Sequence, residues 1–469
     1  MELKSDQSPP RPGALSLEGF HGSVEVPHAS AGPWRQYLAF AGPALLVSVG
    51  YMDPGNWATD LQAGAQFKYQ LLWIVGLSSL MAIFLQIISA RLGIGTGKDL
   101  AQCCRDFLPA WTCWPNYLSC EIAIAACDLA EVLGSAVAIH LLFPRISLLA
   151  AVFITAFDVL ILLSLQRFGM RLIEAVILVL IGTIGVCYFI EIFVLPQTQP
   201  SFPEMGKWLF APNLSSFIHS KDLVLIAIGI IGATVMPHNL YLHSALVQSR
   251  RLTNDPASIR RAVRYNTIDT SVALSIAFFV NAAILVLAAV VFFGHDKVTL
   301  ASGKVIVFSS DSDWIQVAYA TLAPLLGTVA ASVLFAVALL ASGQSSTITG
   351  TLAGQVVMEG FMHWRISPWV RRLITRACAI IPAIILIGVR GDNSVTDLLT
   401  LSQVVLAIQL PLAMFPLLAF AGSKRRMGER RIGGFLLAAG WASCLAITVL
   451  DIYGLPDAMH DAISVFTGH

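Results

Sequence analysis

The chain has 469 residues, 56% of them hydrophobic and 12% charged, with a formal net charge of +1. Soluble domains carry roughly 25% charged residues, so a chain this apolar, with a mean hydropathy of +0.75, has too little polar surface to stay in water and reads as a polytopic membrane protein. The near-zero net charge gives no sign of a nucleic-acid partner, and no Gly-rich phosphate loop, nucleophile elbow or His-Glu-x-x-His pattern supports an ATP-driven pump or an intramembrane hydrolase.

The first 34 residues are polar and rich in Pro, Ser and Gly, without a charged start and an apolar run behind it. They read as a disordered cytoplasmic tail rather than a signal peptide. Residues 35–469 read as a single transmembrane domain. A span needs about 20 apolar residues, and candidates fall at 37–66, 71–90, 116–140, 147–165, 172–195, 223–248, 267–293, 315–342, 373–390, 396–421 and 433–453. That is about 11 helices. The Ser/Thr/Gly-rich stretch 343–362 is taken as a continuation of the eighth. Of the 29 Lys and Arg residues, 22 fall in segments that share a side with the N-terminus and 7 in the others. The positive-inside rule then puts the N-terminus in the cytoplasm and the C-terminus outside. Only Arg376 and Arg390 touch a span, in the end turns of the ninth, and both are expected to snorkel to the adjoining surface. The eight cysteines contain no Cys-x-x-Cys pair. Several, including Cys127, Cys187 and Cys444, sit inside apolar runs and read as small core residues.

The first and sixth spans share a pattern. Each begins with an apolar, Gly-bearing run, and each is interrupted by X-Pro-X-Asn: Asp53-Pro54-Gly55-Asn56 and Met236-Pro237-His238-Asn239. Proline removes a backbone donor and clashes with the preceding turn, so both helices must break or kink there. Irregular backbone at membrane depth is tolerated only where it lines a cavity or is buried in protein. Five spans separate the two starts. The halves, about 37–195 and 223–421, therefore have opposite orientation, and 433–453 is an extra helix. Matched interruptions in inverted halves point to a transporter site at the midplane.

Asp53 sits in an apolar segment, where a carboxylate costs roughly 2.5–3.5 kcal/mol on insertion scales. With no Lys or Arg deep in any span, a bound cation is the physical solution. Asn56 supplies a neutral amide oxygen, and the carbonyls of Gly50 and Ala233, one turn before each motif, are further candidate ligands. Met236 discriminates among cations: a thioether is a poor ligand for Mg²⁺ or Ca²⁺ and suits Mn²⁺, Fe²⁺ or heavier divalents such as Cd²⁺. Gln403, a polar residue in the tenth span, is an extra candidate ligand, and Gln86 in the second is a candidate gate.

His238 reads as a proton relay, while for His243 relay and core packing weigh equally. In the third span Glu121, Asp128 and Glu131 fall on one stripe at 100° per residue. Such acidic chains mark proton routes, with structural hydrogen bonding as the alternative. Arg91, Arg105, Arg371 and Arg372, at cytoplasmic helix ends, read as topology determinants in contact with lipid headgroups, though some could pair with carboxyls at a proton exit. The run Ala341-Ser342-Gly343-Gln344-Ser345-Ser346-Thr347 lines a pathway or lets helices pack closely.

The paired motifs, with Asp128-Leu129-Ala130-Glu131 and Leu340-Ala341-Ser342-Gly343-Gln344-Ser345-Ser346, resemble those of the Nramp family of divalent metal transporters. The resemblance covers essentially everything after the tail. It implies an all-α membrane protein with the leucine-transporter-like fold: two inverted five-helix repeats, spans 1–5 and 6–10, with helices 1 and 6 broken, plus the extra helix. It implies a metal site at Asp53, Asn56, Met236 and the carbonyls of Gly50 and Ala233, joined by Gln403 in some conformations. It implies a proton pathway through Asp53, His238, Glu131 and Asp128. Met236 argues against the magnesium-transporting relatives. The expected protein is a proton-coupled importer of Mn²⁺ or Fe²⁺, with Cd²⁺, Co²⁺ and Zn²⁺ as further candidates. It works by alternating access in the cytoplasmic membrane, as a monomer, without cofactor or enzymatic activity. A carrier of an organic solute with a coupling cation at Asp53 and a non-transporting metal sensor are the alternatives.

Overall fold

The computed structural model describes residues 16–27, 31–155, 169–194, 200–253, 255–295, 297–299, 305–307, 314–315, 317–318, 329–364, 366–390 and 395–467. The membrane helices are labelled as follows: α1 Pro43–Ser48, α2 Pro54–Phe67, α3 Leu72–Thr96, α4 Cys113–Leu142, α5 Met170–Phe189, α6 Lys221–Thr234, α7 Pro237–Leu246, α8 Pro256–Val291, α9 Val329–Met362, α10 Pro368–Arg390, α11 Val395–Ala421 and α12 Gly434–Thr467. Among the described residues, eight helical stretches are long and apolar enough to cross a membrane. The first span is α1 and α2, joined by a 3₁₀ turn at Val49–Met52, and the sixth is α6 and α7. Residues 148–155 begin the expected fourth span. Its second half, 156–165, and the expected start of the eighth, 319–328, lie outside the described residues. The stretch 343–362 does continue the eighth helix. A short antiparallel ribbon, Lys297–Thr299 with Val305–Val307, is the one departure from helix among the described elements.

The first span begins later than the expected start at 37. Pro33–Phe40 forms a separate helix, and the chain turns at Gly42, whose φ of +134° is open to glycine and costly for other residues. A side chain there would also strike Glu174. Asp269 in α8 accepts hydrogen bonds from the N–H groups of Gly42 and Ala44 (3.2 and 3.0 Å) and so supplies the helix start with partners for its free donors. Arg250 and Arg171 both pair with Glu174 (2.9 Å each), and Arg250 also donates to the carbonyl of Ala41. The beginning of the first span is thus tied to α5, α8 and the end of α7.

The two broken spans form the centre. α3 and α8 pack against them on one side, and α4, α9 and α11 on the other. Lipid tails are as apolar as leucine, so helix association here depends on close packing and interhelical hydrogen bonds. Both are present. A Cβ at Gly134 would lie 2.1 Å from that of Pro54, and the Ser89 hydroxyl donates to the carbonyl of Leu240.

Residues 16–27 fall within the expected tail, but they are packed. The N–H groups of Gly22 and Val24 donate to the carbonyls of Gln248 and Ser249 (3.0 and 2.9 Å), and Val24 accepts from Arg251 N–H (2.9 Å). Leu17 N–H donates to the Glu359 carboxylate at 2.8 Å. Leu17 and Val24 are buried, which gives this otherwise polar segment two apolar anchors. Residues 1–15 and 28–30 lie outside the described residues.

On the same face, Asp99 caps the short helix Leu100–Phe107 in a reciprocal capping box with Gln102. Burial pushes its carboxyl from the ordinary 3.8 up to about 6, against the pull of the Gln102 N–H. The folded state therefore favours the protonated form. That contribution to stability is complete below about pH 4 and lost as pH rises through about 6. Asp99→Asn keeps a good cap and removes the charge. Its melting temperature in detergent is expected to exceed that of wild type at about pH 7.5, with the gap closing towards about pH 4.5. A gap that does not change with pH would contradict the burial argument.

Candidate functional site

At the first break the backbone of Asp53 is extended (φ −68°, ψ 167°), and Pro54 opens α2 at a position where its missing N–H is no loss. Asp53 is also the N-cap: its Oδ1 accepts from the N–H of Asn56 at 2.9 Å. The sixth span repeats the geometry. Met236 is extended (φ −74°, ψ 123°), and Pro237 opens α7. A thioether cannot cap, so this second helix start has no side-chain partner of its own.

The two breaks meet. Asn56 Nδ2 donates to Asp53 Oδ1 (2.7 Å) and to the carbonyl of Ala233 across the interface (3.0 Å). Its Oδ1 accepts from Asn281 of α8 (3.3 Å). A Cβ on Gly50 would lie 2.3 Å from the amide of Asn239, so the first break rests directly on the second motif. Gln403 touches both breaks. Its side chain occupies the space a Cβ on Gly55 would need, and its carbonyl would lie 2.3 Å from a Cβ on Gly232. The carbonyls released by the first break are taken up. Tyr51 O accepts from Asn281, and Met52 O accepts from Trp57 Nε1 and the Ser342 hydroxyl.

Asp53, Asn56, Met236, His238 and Gln403 are all buried. Asp53 Oδ2, Gln403 Oε1 and His238 Nδ1 have no hydrogen-bond partner. Met236 packs with Ala123 and Cys127 of α4 and Leu406 of α11. Asp53, Asn56 and the Ala233 carbonyl therefore meet directly, Met236 is buried at the second break, and one feature differs from the expected ligand set. Asn56 presents its NH₂ group, not its oxygen, to Asp53 and Ala233. Between two acceptors a donor is the stable choice, and the amide nitrogen bridges them as a cation would.

Among the third-span carboxyls, Arg376 is placed differently from the sequence expectation. Arg376 does not snorkel to a surface. It is 1% exposed and lies among them: Nη1 is 3.0 Å from Asp128 Oδ1 and 3.7 Å from Glu131 Oε2, and Nη2 donates to the carbonyl of Thr155. A buried position was available because Asp128 and Glu131 neutralise the guanidinium, whereas hydropathy alone favours the helix end. Glu131 Oε1 also accepts from the Ser346 hydroxyl (2.9 Å) and faces the Cys127 thiol (3.6 Å). Glu121 pairs with Arg371 (2.8 Å), one of the arginines expected to find a carboxyl. The Ala341–Thr347 run packs closely and bonds across helices. Gly343 packs on Ser135, and Ser346 bonds Glu131.

His243 belongs to another network. Its Nδ1 meets Gln86 Oε1 (2.9 Å), its Nε2 meets the Asn266 amide (3.4 Å), and Gln86 Nε2 donates to the Tyr51 hydroxyl (2.7 Å). Both ring nitrogens are occupied, one as donor and one as acceptor, which is the pattern of a neutral imidazole. Gln86 thereby links α3, the first break and α7.

Several residues at the site carried no sequence signal that was read. Asp60, also buried and without a partner for either oxygen, lies seven residues after Asp53 and so on the same helix face. Asn281, Trp57 and Tyr51 act through backbone groups that only the break exposes. Cys127 was read as plain core, yet it stands between Met236 and Glu131. Its position one residue before Asp128 was the available clue.

A profile of the family described as natural resistance-associated macrophage protein-like matches residues 44–457. The Nostoc sp. protein named divalent metal cation transporter MntH is 48% identical over 440 residues, covering 93% of this chain and 95% of that one. The protein of the same name from Brucella suis biovar 1 is 48% identical over 434 residues, covering 92% and 90%. Among solved structures, that of the Eremococcus coleocola manganese transporter in complex with an aromatic bis-isothiourea substituted compound aligns with a TM-score of 0.83 at 37% identity, covering 97% of this chain and 92% of that one.

Removing one partner of a buried ion pair leaves an uncompensated charge and costs about 3–5 kcal/mol. Arg376→Met is therefore expected to lower the melting temperature by several degrees, and Arg376→Met/Asp128→Asn to recover much of that loss. Additive losses in the double variant would show that the pair is not coupled.

Proposed function

The chain belongs to the Nramp family, and on that premise we propose that it imports divalent transition-metal ions, Mn²⁺ or Fe²⁺, across the cytoplasmic membrane in symport with protons. The observation that carries this reading is Asp53. It is a fully buried carboxylate at a helix break with one oxygen unpartnered, no ion pair to a described residue, and a buried thioether on the facing break. The relatives named as divalent metal cation transporters and the solved manganese transporter support the same class of cargo.

In this mechanism the cation takes the position now bridged by Asn56 Nδ2. The Asn56 amide turns so that its oxygen faces the metal, joining Asp53, Met236 and the carbonyls of Gly50 and Ala233. Gln403 Oε1 is close enough to the first break to add a ligand once the surrounding helices shift. Oxygen ligands alone would suit Ca²⁺ and Mg²⁺, and the Met236 sulfur tilts the site towards softer ions.

The proton route runs from Asp53 past His238 to Asp128 and Glu131. His238 has a free ring nitrogen and lies within electrostatic reach of Asp128. The Glu121–Arg371 pair stands further along the same face of α4 towards the cytoplasm. Arg376 gives both carboxylates a permanent counter-charge. His243, with both nitrogens engaged, acts with Gln86 in holding α7 to the first break rather than in carrying protons.

Alternating access follows from the breaks. α1 and α7 are the cytoplasmic halves, and α2 and α6 the outer halves. On the outer side Trp57 packs against Tyr188 and Phe335. On the inner side the Glu174–Arg250–Asp269 cluster anchors α1. Opening to either side requires one of these closures to part. The distribution of Lys and Arg supports a cytoplasmic N-terminus and an outer C-terminus.

Uptake of Mn²⁺ into proteoliposomes under an inward proton gradient tests the reading. Asp53→Ala is expected to abolish uptake. Met236→Ala should lower it about tenfold, the loss of roughly 1.4 kcal/mol of binding, and let Ca²⁺ compete. Wild type that moves no metal at any pH, or an Asp53→Ala variant that transports normally, would overturn the proposal. A C-terminal alkaline phosphatase fusion should be active outside the cytoplasm.

A further inference from the structure

A cavity of about 940 Å³ opens between the end of α3, the start of α8 and the loop that follows α11. Four arginines reach it, Arg91, Arg260, Arg264 and Arg430, against a single acid, Glu429. It lies on the face we assign to the cytoplasm and shares no residue with the metal site or the proton route.

Ion pairs among the described residues leave most of the charge there uncompensated. Arg430 donates to the carbonyl of Gly95, but Arg91, Arg260 and Arg264 form no ion pair with a described residue, and the buried Nε of Arg91 has no hydrogen-bond partner. Several other arginines on this face are committed: Arg171 and Arg250 to Glu174, Arg251 to Glu25 and Arg371 to Glu121. The arrangement is also costly by itself. Arg260 and Arg264 are an i,i+4 pair of like charge. They lie in the second and third turns of a 36-residue helix. Three guanidiniums without an ion pair to a described residue converge on one space, and an anion is what would offset them.

The walls point to the kind of anion. Ile259, Val263 and Ile268 line the cavity beside the arginines. From Ile268 an exposed apolar stripe continues along α8 through Val272, Ile276 and Phe279, spaced at four, four and three residues on one helix face. A charged pocket at the membrane surface that runs into an apolar track matches a phosphate headgroup with acyl chains behind it. We propose that this cavity is a binding site for an anionic phospholipid: its phosphate sits among Arg91, Arg260, Arg264 and Arg430, and its acyl chains lie along the α8 stripe.

Thermal unfolding of the delipidated full-length protein in detergent tests this with three probes at equal concentration: phosphatidylglycerol, phosphatidylcholine and inorganic phosphate. Phosphatidylglycerol should raise the melting temperature by roughly 5 °C at saturation, and the other two should leave it nearly unchanged. In Arg260→Ala/Arg264→Ala, two exposed positions, the shift should fall to about a third or less. Arg251→Ala, a paired arginine on the same face, should keep the full shift. Native mass spectrometry should find phosphatidylglycerol retained by wild type and lost by the double variant. An equal shift with phosphatidylcholine, a full shift with inorganic phosphate alone, an undiminished shift in the double variant, or no phosphatidylglycerol effect and no retention in wild type would each overturn the proposal.

Discussion

A carboxylate in the apolar middle of a membrane protein has to be satisfied by something close at hand, and Asp53 is satisfied in part by the helix it interrupts. The break turns Asp53 into the N-cap of α2, so that the free N–H of Asn56 meets its Oδ1. The same break releases the carbonyls of Tyr51 and Met52, and α8, α9 and Trp57 are positioned to take them up. The surrounding helices are therefore arranged around the backbone groups that the broken span exposes. Only one Asp53 oxygen is answered by this arrangement. The capped oxygen fixes the geometry, and the other accepts no hydrogen bond.

The second break is built on the same backbone plan with different chemistry. Met236 occupies the position of Asp53 but offers no acceptor, so α7 starts uncapped and its side chain turns to an apolar pocket with Cys127 and Leu406. Asp53 and Asn56 thus come from one half of the molecule, and Met236 and the Ala233 carbonyl from the other. A site assembled from two halves is also one that changes when the halves move.

Several buried charges elsewhere are placed where a partner can answer them. Arg376 is deep because Asp128 and Glu131 are there. Arg250 is buried at the start of the first span because Glu174 faces it and the carbonyls of Ala39 and Ala41 accept from it. Arg91, Arg260 and Arg264, which form no ion pair with a described residue, share one cavity at the membrane surface with Arg430.

Much was legible in the sequence alone. Hydropathy set the spans because each must cross the bilayer by itself, and most observed edges fall within a few residues of the expected ones. Proline set the breaks because its missing donor is a covalent fact independent of fold. The α4 stripe of Glu121, Asp128 and Glu131 followed from helical periodicity. What the tertiary structure decided concerns partners distant in sequence. The pairing of Arg376 with Asp128 spans 248 residues, and Arg376 looked like a surface anchor because no local pattern reports a counter-charge on another helix. The orientation of the Asn56 amide depends on the carbonyl of Ala233, 177 residues away. Residues 16–27 looked like a free tail because their composition is polar, but backbone groups at the end of the sixth span were waiting to pair with them. Local propensity and hydropathy fix where helices begin, end and break. Which polar groups those helices bring face to face is fixed only when they pack.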